Sequence, residues 1–171
     1  VHNENDGGLG QQQRRELRVK ISELIATGFL SGRAPVAPGT VGSIAACLLW
    51  LLLKISGASF ATLCIVTGCI ILAGWWATEH YVARNSTDKQ SDPSEVVIDE
   101  WAGMWIALLG VQELGVIEIT LAFMLFRLFD ISKPWIVGKC DRMHGTKGIM
   151  LDDIAAGFIA LLCLMVGQSL F

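Results

Sequence analysis

Long apolar runs broken by short polar stretches organise this chain. Gly39 to Leu53 and Ile55 to Thr78 contain no Asp, Glu, Lys or Arg, with only Lys54 between them, and Ile154 to Phe171 is again uncharged. Two further apolar runs, Val96 to Val111 and Leu114 to Phe129, are separated by Gln112-Glu113. A membrane-crossing helix needs roughly 20 apolar residues. The runs therefore predict membrane helices over about 41–55, 59–78, 96–111, 114–129 and 154–171. The third and fourth are short for a full crossing and form a hairpin, either crossing or re-entrant. No segment shows strand alternation. The expected fold is all-α: a polytopic membrane helical bundle with short or re-entrant helices.

Local signals set the boundaries. Pro35 and Pro38 make GFLSGRAPVAPGTVGS an irregular stretch, and Thr40 is the expected N-cap of the first membrane helix. Ser56-Gly57-Ala58-Ser59 makes a turn, and Trp75-Trp76 suit the membrane interface. Lys133-Pro134-Trp135 stops the fourth helix, because proline disfavours helical geometry in the residue before it. A polar loop is expected from there to Asp153. Residues 1–20, with their run of Gln, read as a flexible or weakly helical basic arm; Arg14-Arg15 has no apolar core close enough behind it to form a secretion signal. Val19 to Gly28 is modestly amphipathic and suited to the membrane surface. Residues 21–171 read as a single membrane-embedded domain.

Composition agrees. Hydrophobic residues make up 53% of the chain and charged residues 17%, against roughly 45–50% and 25% in soluble domains. The net charge of -3 carries little information and gives no reason to expect a nucleic acid partner. The five cysteines form no CxxC and read as small apolar residues. If residue 20 is cytoplasmic, 12 of the 13 basic residues fall on the cytoplasmic side, Lys54 being the exception. The positive-inside rule favours that orientation.

The same topology gathers six carboxylates on the cytoplasmic side: Asp99, Glu100, Asp130, Asp141, Asp152 and Asp153. Ionisable groups at a membrane edge are costly, so such a cluster marks a functional site by default. Asp99-Glu100 and Asp152-Asp153 precede predicted helices, where a carboxylate can cap free N–H groups. One acid would suffice for that, and each place has two. Asp130 falls at the C-terminal end of its helix, where the dipole disfavours an anion. Pairing with Arg127 would contribute only roughly a few tenths of a kcal/mol, so a metal ion is the better reason for its position. Carboxylate oxygens without paired Cys or His suit magnesium.

Arg127, Lys133, Arg142 and Lys147 read either as topology determinants that meet anionic lipid or as phosphate ligands. Arg127 is nearest to an apolar segment and to Asp130. His144 is either a turn residue beside Gly145 or a proton or hydrogen-bond donor to phosphate. The Thr40 and Ser43 hydroxyls, with backbone N–H groups at a helix start, offer a weak anion site. Absences narrow the chemistry. The chain has no P-loop, no cysteine-phosphatase loop, no DxDx[TV] nucleophile, no histidine-phosphatase signature and no CDP-alcohol transferase motif. Attack by water or a carboxylate, assisted by metal, remains.

Four segments in order, GFLSGRAPVAPGTVGS, VVIDEWAGMW, FRLFDISKPW and DRMHGTKGIMLDDIAAG, resemble the bacterial phosphatidylglycerophosphatase A family over roughly residues 20–168. The resemblance implies a magnesium-dependent integral inner-membrane enzyme that removes the phosphate monoester of phosphatidylglycerophosphate. It implies a site on the cytoplasmic face, with Asp99, Glu100, Asp130, Asp152 and Asp153 as catalytic and metal-binding acids. Arg127, Lys133, Arg142 and His144 also fall on motif positions, and with Thr40 and Ser43 they form the expected substrate-binding set. Mg²⁺ would polarise the phosphate and lower the pKa of water, while the basic residues stabilise the transferred phosphoryl group. The lipid tails stay in the bilayer. Two other classes stay open: a non-catalytic membrane protein whose acids bind a cation or partner, and a lipid phosphotransferase.

Overall fold

The computed structural model describes residues 5–85 and 94–170. Among the described residues all regular structure is helical: α1 (Asn5–Ala26), α2 (Pro38–Ile55), α3 (Phe60–Asn85), α4 (Ile98–Leu108), α5 (Val116–Ser132), α6 (Trp135–Asp141) and α7 (Thr146–Leu170), with a short 3₁₀ turn at Ser31–Arg33. Helices α2, α3 and α7 are long and apolar enough to cross a membrane. They leave large apolar side chains exposed, among them Leu48, Leu52, Ile65, Leu72, Phe158 and Leu162. On a bilayer-spanning bundle these are lipid contacts.

Helix α4 is different. Its 11 residues extend about 16 Å, roughly half the hydrocarbon thickness, and all but Glu100 are buried. Helices α2, α3, α5 and α7 all pack on it. The α4–α5 hairpin thus places a short arm inside the bundle.

Several boundaries differ from those expected, each for a physical reason. Helix α2 starts at Pro38, so Thr40 lies inside its first turn and is not the N-cap; that position is Ala37, in the left-handed region at φ 49° with no side-chain cap. Proline fits the first helical position because the N–H it lacks would have had no intrahelical partner. Helix α3 runs about two turns past Thr78 to Asn85. The expected polar loop up to Asp153 contains α6 and the first two turns of α7. Charged residues there interrupt the hydropathy without interrupting the helix. Asp152 and Asp153 therefore sit beyond the four N–H groups that a cap can serve, which removes capping as their role. The segment read as a basic arm is helical from Asn5. The fourth helix does end at the proline, with Lys133 left-handed at φ 45° as its C-cap.

Helices α4 and α7 approach backbone to backbone. A Cβ on Gly103 would run into the carbonyl oxygen of Asp153 and the Phe126 ring, and one on Gly157 would lie 2.9 Å from Gly103 Cα. Small residues of this kind let membrane helices meet backbone to backbone. Asp99 and Asp153 lie four residues before Gly103 and Gly157, on the same helical faces. The glycine contact thus brings the two acids together. The Trp105 indole N–H donates to Ala46 O at 3.0 Å, tying α4 to α2, and the Val97 N–H donates to Ala26 O at 3.0 Å, tying its start to α1.

Gly157→Ala should lower stability by about 1–3 kcal/mol, the usual cost of overpacking, seen as an earlier thermal transition in detergent. Gly68→Ala and Gly167→Ala, where a Cβ would meet nothing within 4 Å, should leave the transition in place.

Candidate active site

Four helix ends meet at one side of the bundle: the starts of α2, α4 and α7 and the end of α5. Between them lies a cavity of about 340 Å³ lined by Asp99, Glu100, Arg127, Asp130, Lys133, Asp152 and Asp153, with Pro38, Gly39, Ser94, Val96, Ile131 and Ile149 completing the wall. All five of the acids read as catalytic are here.

Oxygens of Asp99, Glu100 and Asp153 lie within 4.8 Å of one another, and Asp130 comes within hydrogen-bonding reach of Asp153. Carboxylates this close cannot all hold negative charge unless a proton or a cation sits between them. Two cations line the same cavity, and both are already engaged. Arg127 Nη1 donates to Asp130 at 2.5 Å, and its terminal nitrogens reach the hydroxyls of Ser43 and Thr40 at 3.4 Å. Lys133 Nζ bridges Asp152 at 3.0 Å and Asp141. Burial works against the charge on Lys133, but the hydrogen bonds to the two aspartates outweigh it and raise its pKa above the ordinary lysine value. Five lining carboxylates against two lining cations leave an excess of negative charge.

Buried polar atoms in proteins almost always have partners. Glu100 Oε2, Asp152 Oδ1 and Arg127 Nε are buried and have none, and all three belong to residues lining this cavity. Unpartnered carboxylate oxygens beside a three-acid cluster are a hard-oxygen donor set, the kind that suits magnesium, calcium or manganese. An unpartnered guanidinium N–H beside them suits an anion. The residues present therefore fit a divalent cation with a phosphate group next to it.

The remaining expected residues are placed differently. Thr40 and Ser43 contact Arg127 and are not among the cavity-lining residues; Ser43 Oγ also donates to Gly39 O at 2.8 Å. Arg142 and His144 are exposed beyond α6 and do not line the cavity. Asp141 is exposed and reaches the site only through Lys133. Two cavity residues carried little signal. A Cβ on Gly39 would collide with Glu100 Oε1, so this glycine makes room for the carboxylate at the positive end of α2; its place after Pro38 in the Gly/Pro stretch was the available hint. Ser94 lies just before α4 and had no distinguishing feature.

Known proteins resemble this chain over most of its length. Residues 24–168 match the family described as Phosphatidylglycerophosphatase A. The chain belongs to that family. It is 37% identical over 147 residues to the Phosphatidylglycerophosphatase A of Escherichia coli K12, covering 84% of this chain and 83% of that protein. It is 34% identical over 153 residues to the protein of the same name from Haemophilus influenzae, covering 85% and 87%. A Bacteroides thetaiotaomicron protein named as a candidate phosphatidylinositol-3-phosphatase is 37% identical over 150 residues, covering 85% and 92%. No solved structure matches the chain.

The acid cluster should bind Mn²⁺, read by electron paramagnetic resonance of the free ion. Glu100→Gln and Asp153→Asn should each weaken that binding by roughly tenfold or more. Glu113→Gln, an exposed residue between α4 and α5, should not.

Proposed function

We propose that this protein hydrolyses the terminal phosphate monoester of phosphatidylglycerophosphate, with magnesium, at the cytoplasmic face of a bacterial inner membrane. One observation carries the proposal: the unpartnered buried atoms Glu100 Oε2, Asp152 Oδ1 and Arg127 Nε around a single cavity. Acceptors that call for a cation and a donor that calls for an anion lie on the same wall.

Charge is the argument for a metal. A phosphate monoester carries about -1.5 to -2 at neutral pH and would be repelled by a cavity with an excess of carboxylates. Asp99, Glu100 and Asp153, with Asp152 and Asp130 beside them, would hold magnesium, which would supply charge neutralisation for the phosphate. Arg127 binds the phosphate through the guanidinium edge that Asp130 leaves free. Lys133 fixes Asp152 in place and adds positive charge at the rim. Asp130 orients the attacking water. The water oxygen bonds to phosphorus as the ester P–O bond breaks, and the departing glycerol oxygen takes up a proton. The products are phosphatidylglycerol and inorganic phosphate.

The Bacteroides relative supports a second reading, in which the same site takes a phosphorylated inositol headgroup. Purified protein offered both lipids without nucleotide should release phosphate from phosphatidylglycerophosphate with magnesium and lose that activity in chelator. Faster release from phosphatidylinositol 3-phosphate would favour the second reading. A need for nucleotide would mean a phosphotransferase, and no release under any condition a binding protein. Asp99→Ala, Glu100→Ala, Asp152→Ala and Asp153→Ala should each lower turnover by roughly 10²-fold or more.

Removing both partners of a merely structural pair restores most of what either single change loses. Asp130→Asn combined with Arg127→Gln should instead stay inactive, because each group has its own task at the phosphate. The orientation is tested separately. A cysteine replacing Lys147, with the native cysteines removed, should react with an impermeant reagent only from the cytoplasmic side, and one replacing Ser56 only from the opposite side.

A further inference from the structure

A second cavity, of about 280 Å³, opens between α2 and α5, where Thr40, Ile44, Cys47 and Leu48 face Ile119 and Phe123. Ile44 and Leu48 are exposed, so on a bundle in lipid this groove opens toward the bilayer. Thr40, Ile44 and Leu48 recur every four residues on one face of α2 and run about 12 Å along it. At the end nearest the site, Thr40 Oγ1 lies 3.4 Å from Arg127 Nη2, and Arg127 lines the acidic cavity. The groove therefore begins where the candidate phosphate site ends.

The groove wall makes no demand for a polar occupant. Thr120, which also lines it, already donates its hydroxyl to Val116 O at 2.7 Å. A comparable groove between α5 and α7 is lined by Leu121, Leu125, Leu164, Glu118 and Gln168. Its α7 residues begin at Cys163, ten residues and about 15 Å along the helix beyond Asp153, and none of its lining residues hydrogen-bonds to Arg127. That second groove is equally apolar but is remote from the phosphate site. The α2–α5 groove suits a hydrocarbon chain attached to a headgroup at Arg127.

We propose that the α2–α5 groove holds one acyl chain of the lipid whose phosphate enters the acidic cavity. This rests on the phosphatase reading above. Because lipid tails are as apolar as the groove, burying the chain there adds little affinity of its own. What the groove contributes is orientation: it keeps the headgroup in line with Arg127 and the acids.

The test compares two substrates in mixed micelles: long-chain phosphatidylglycerophosphate and its deacylated, water-soluble phosphomonoester. Release of phosphate from both by the unaltered protein tests the phosphatase reading alone. In Ile44→Trp and Leu48→Trp, which fill the groove, kcat/KM on the long-chain lipid should fall by roughly tenfold, the scale of a misplaced substrate. The value on the soluble substrate should stay unchanged. Equal rates on the lipid before and after substitution, or equal losses on both substrates, would overturn the proposal.

A second measurement uses the unaltered protein and does not depend on the variants folding. A phosphomonoester lipid with a photoreactive acyl chain should label residues 44–48 and 119–123 well above a choline lipid carrying the same chain. Equal labelling by the two probes, or labelling centred on the α5–α7 groove, would overturn the assignment.

Discussion

The backbone contact between Gly103 and Gly157 is the constraint on which the rest of the site depends. In a bilayer, helices gain nothing from hiding apolar surface from each other, so they associate by close packing and a few polar contacts. Here α4 and α7 touch through residues with no side chain. One turn closer to the membrane surface, the same approach sets Asp99 and Glu100 against Asp153. A methyl group at either glycine would push apart the two helices that carry the acids. The Trp105 indole on Ala46 O holds the other flank of α4 against α2, and the start of α2 in turn meets Glu100 at Gly39.

Electrostatics then makes this a site rather than a packing motif. The two lining cations are spent on individual aspartates, Arg127 on Asp130 and Lys133 on Asp152. The three-acid cluster is left to a proton or an external cation and to the partial positive charge at the start of α2. Strain gathers at the same edge. Ala37, Lys133 and Trp135 all have left-handed backbone angles, which cost of order 1–3 kcal/mol each in non-glycine residues and tend to concentrate at functional sites. Ala37 sets the direction of α2 into the cavity. Lys133 and Trp135 turn the chain around Pro134 so that the lysine meets α7.

Much of this was legible in the chain. The apolar runs locate every membrane helix, and Pro134 marks the end of α5. The topology brought Asp99, Glu100, Asp130, Asp152 and Asp153 to one face, and the structure places all five around one cavity. What was hidden has a common cause. Hydropathy sees charge, not helix, so the charged first turns of α7 and all of α6 read as loop, and Asp152 and Asp153 were expected just before a helix rather than two turns inside one. The reach of side chains was equally hidden: Thr40 and Ser43 meet Arg127, while His144 and Arg142 stay outside the cavity although they lie in the same segment as Asp152. Gly39 matters through the absence of a side chain, which no pattern of residue types displays.

The enclosure of α4 also bears on how the chain is assembled in the membrane. A segment about 16 Å long is too short to cross lipid by itself, and its two acids are costly there. Its cover comes from α2 and α3, which are made before it, and from α5 and α7, which are made after it. Of these four helices α7 is made last, and it supplies both Gly157 and Asp153. Until α7 inserts, one face of α4 meets lipid instead of backbone, and its carboxylates lack the groups that later surround them. The acid cluster is thus completed only once α7 has been made, and a chain cut short before α7 would leave the two acids of α4 unprotected.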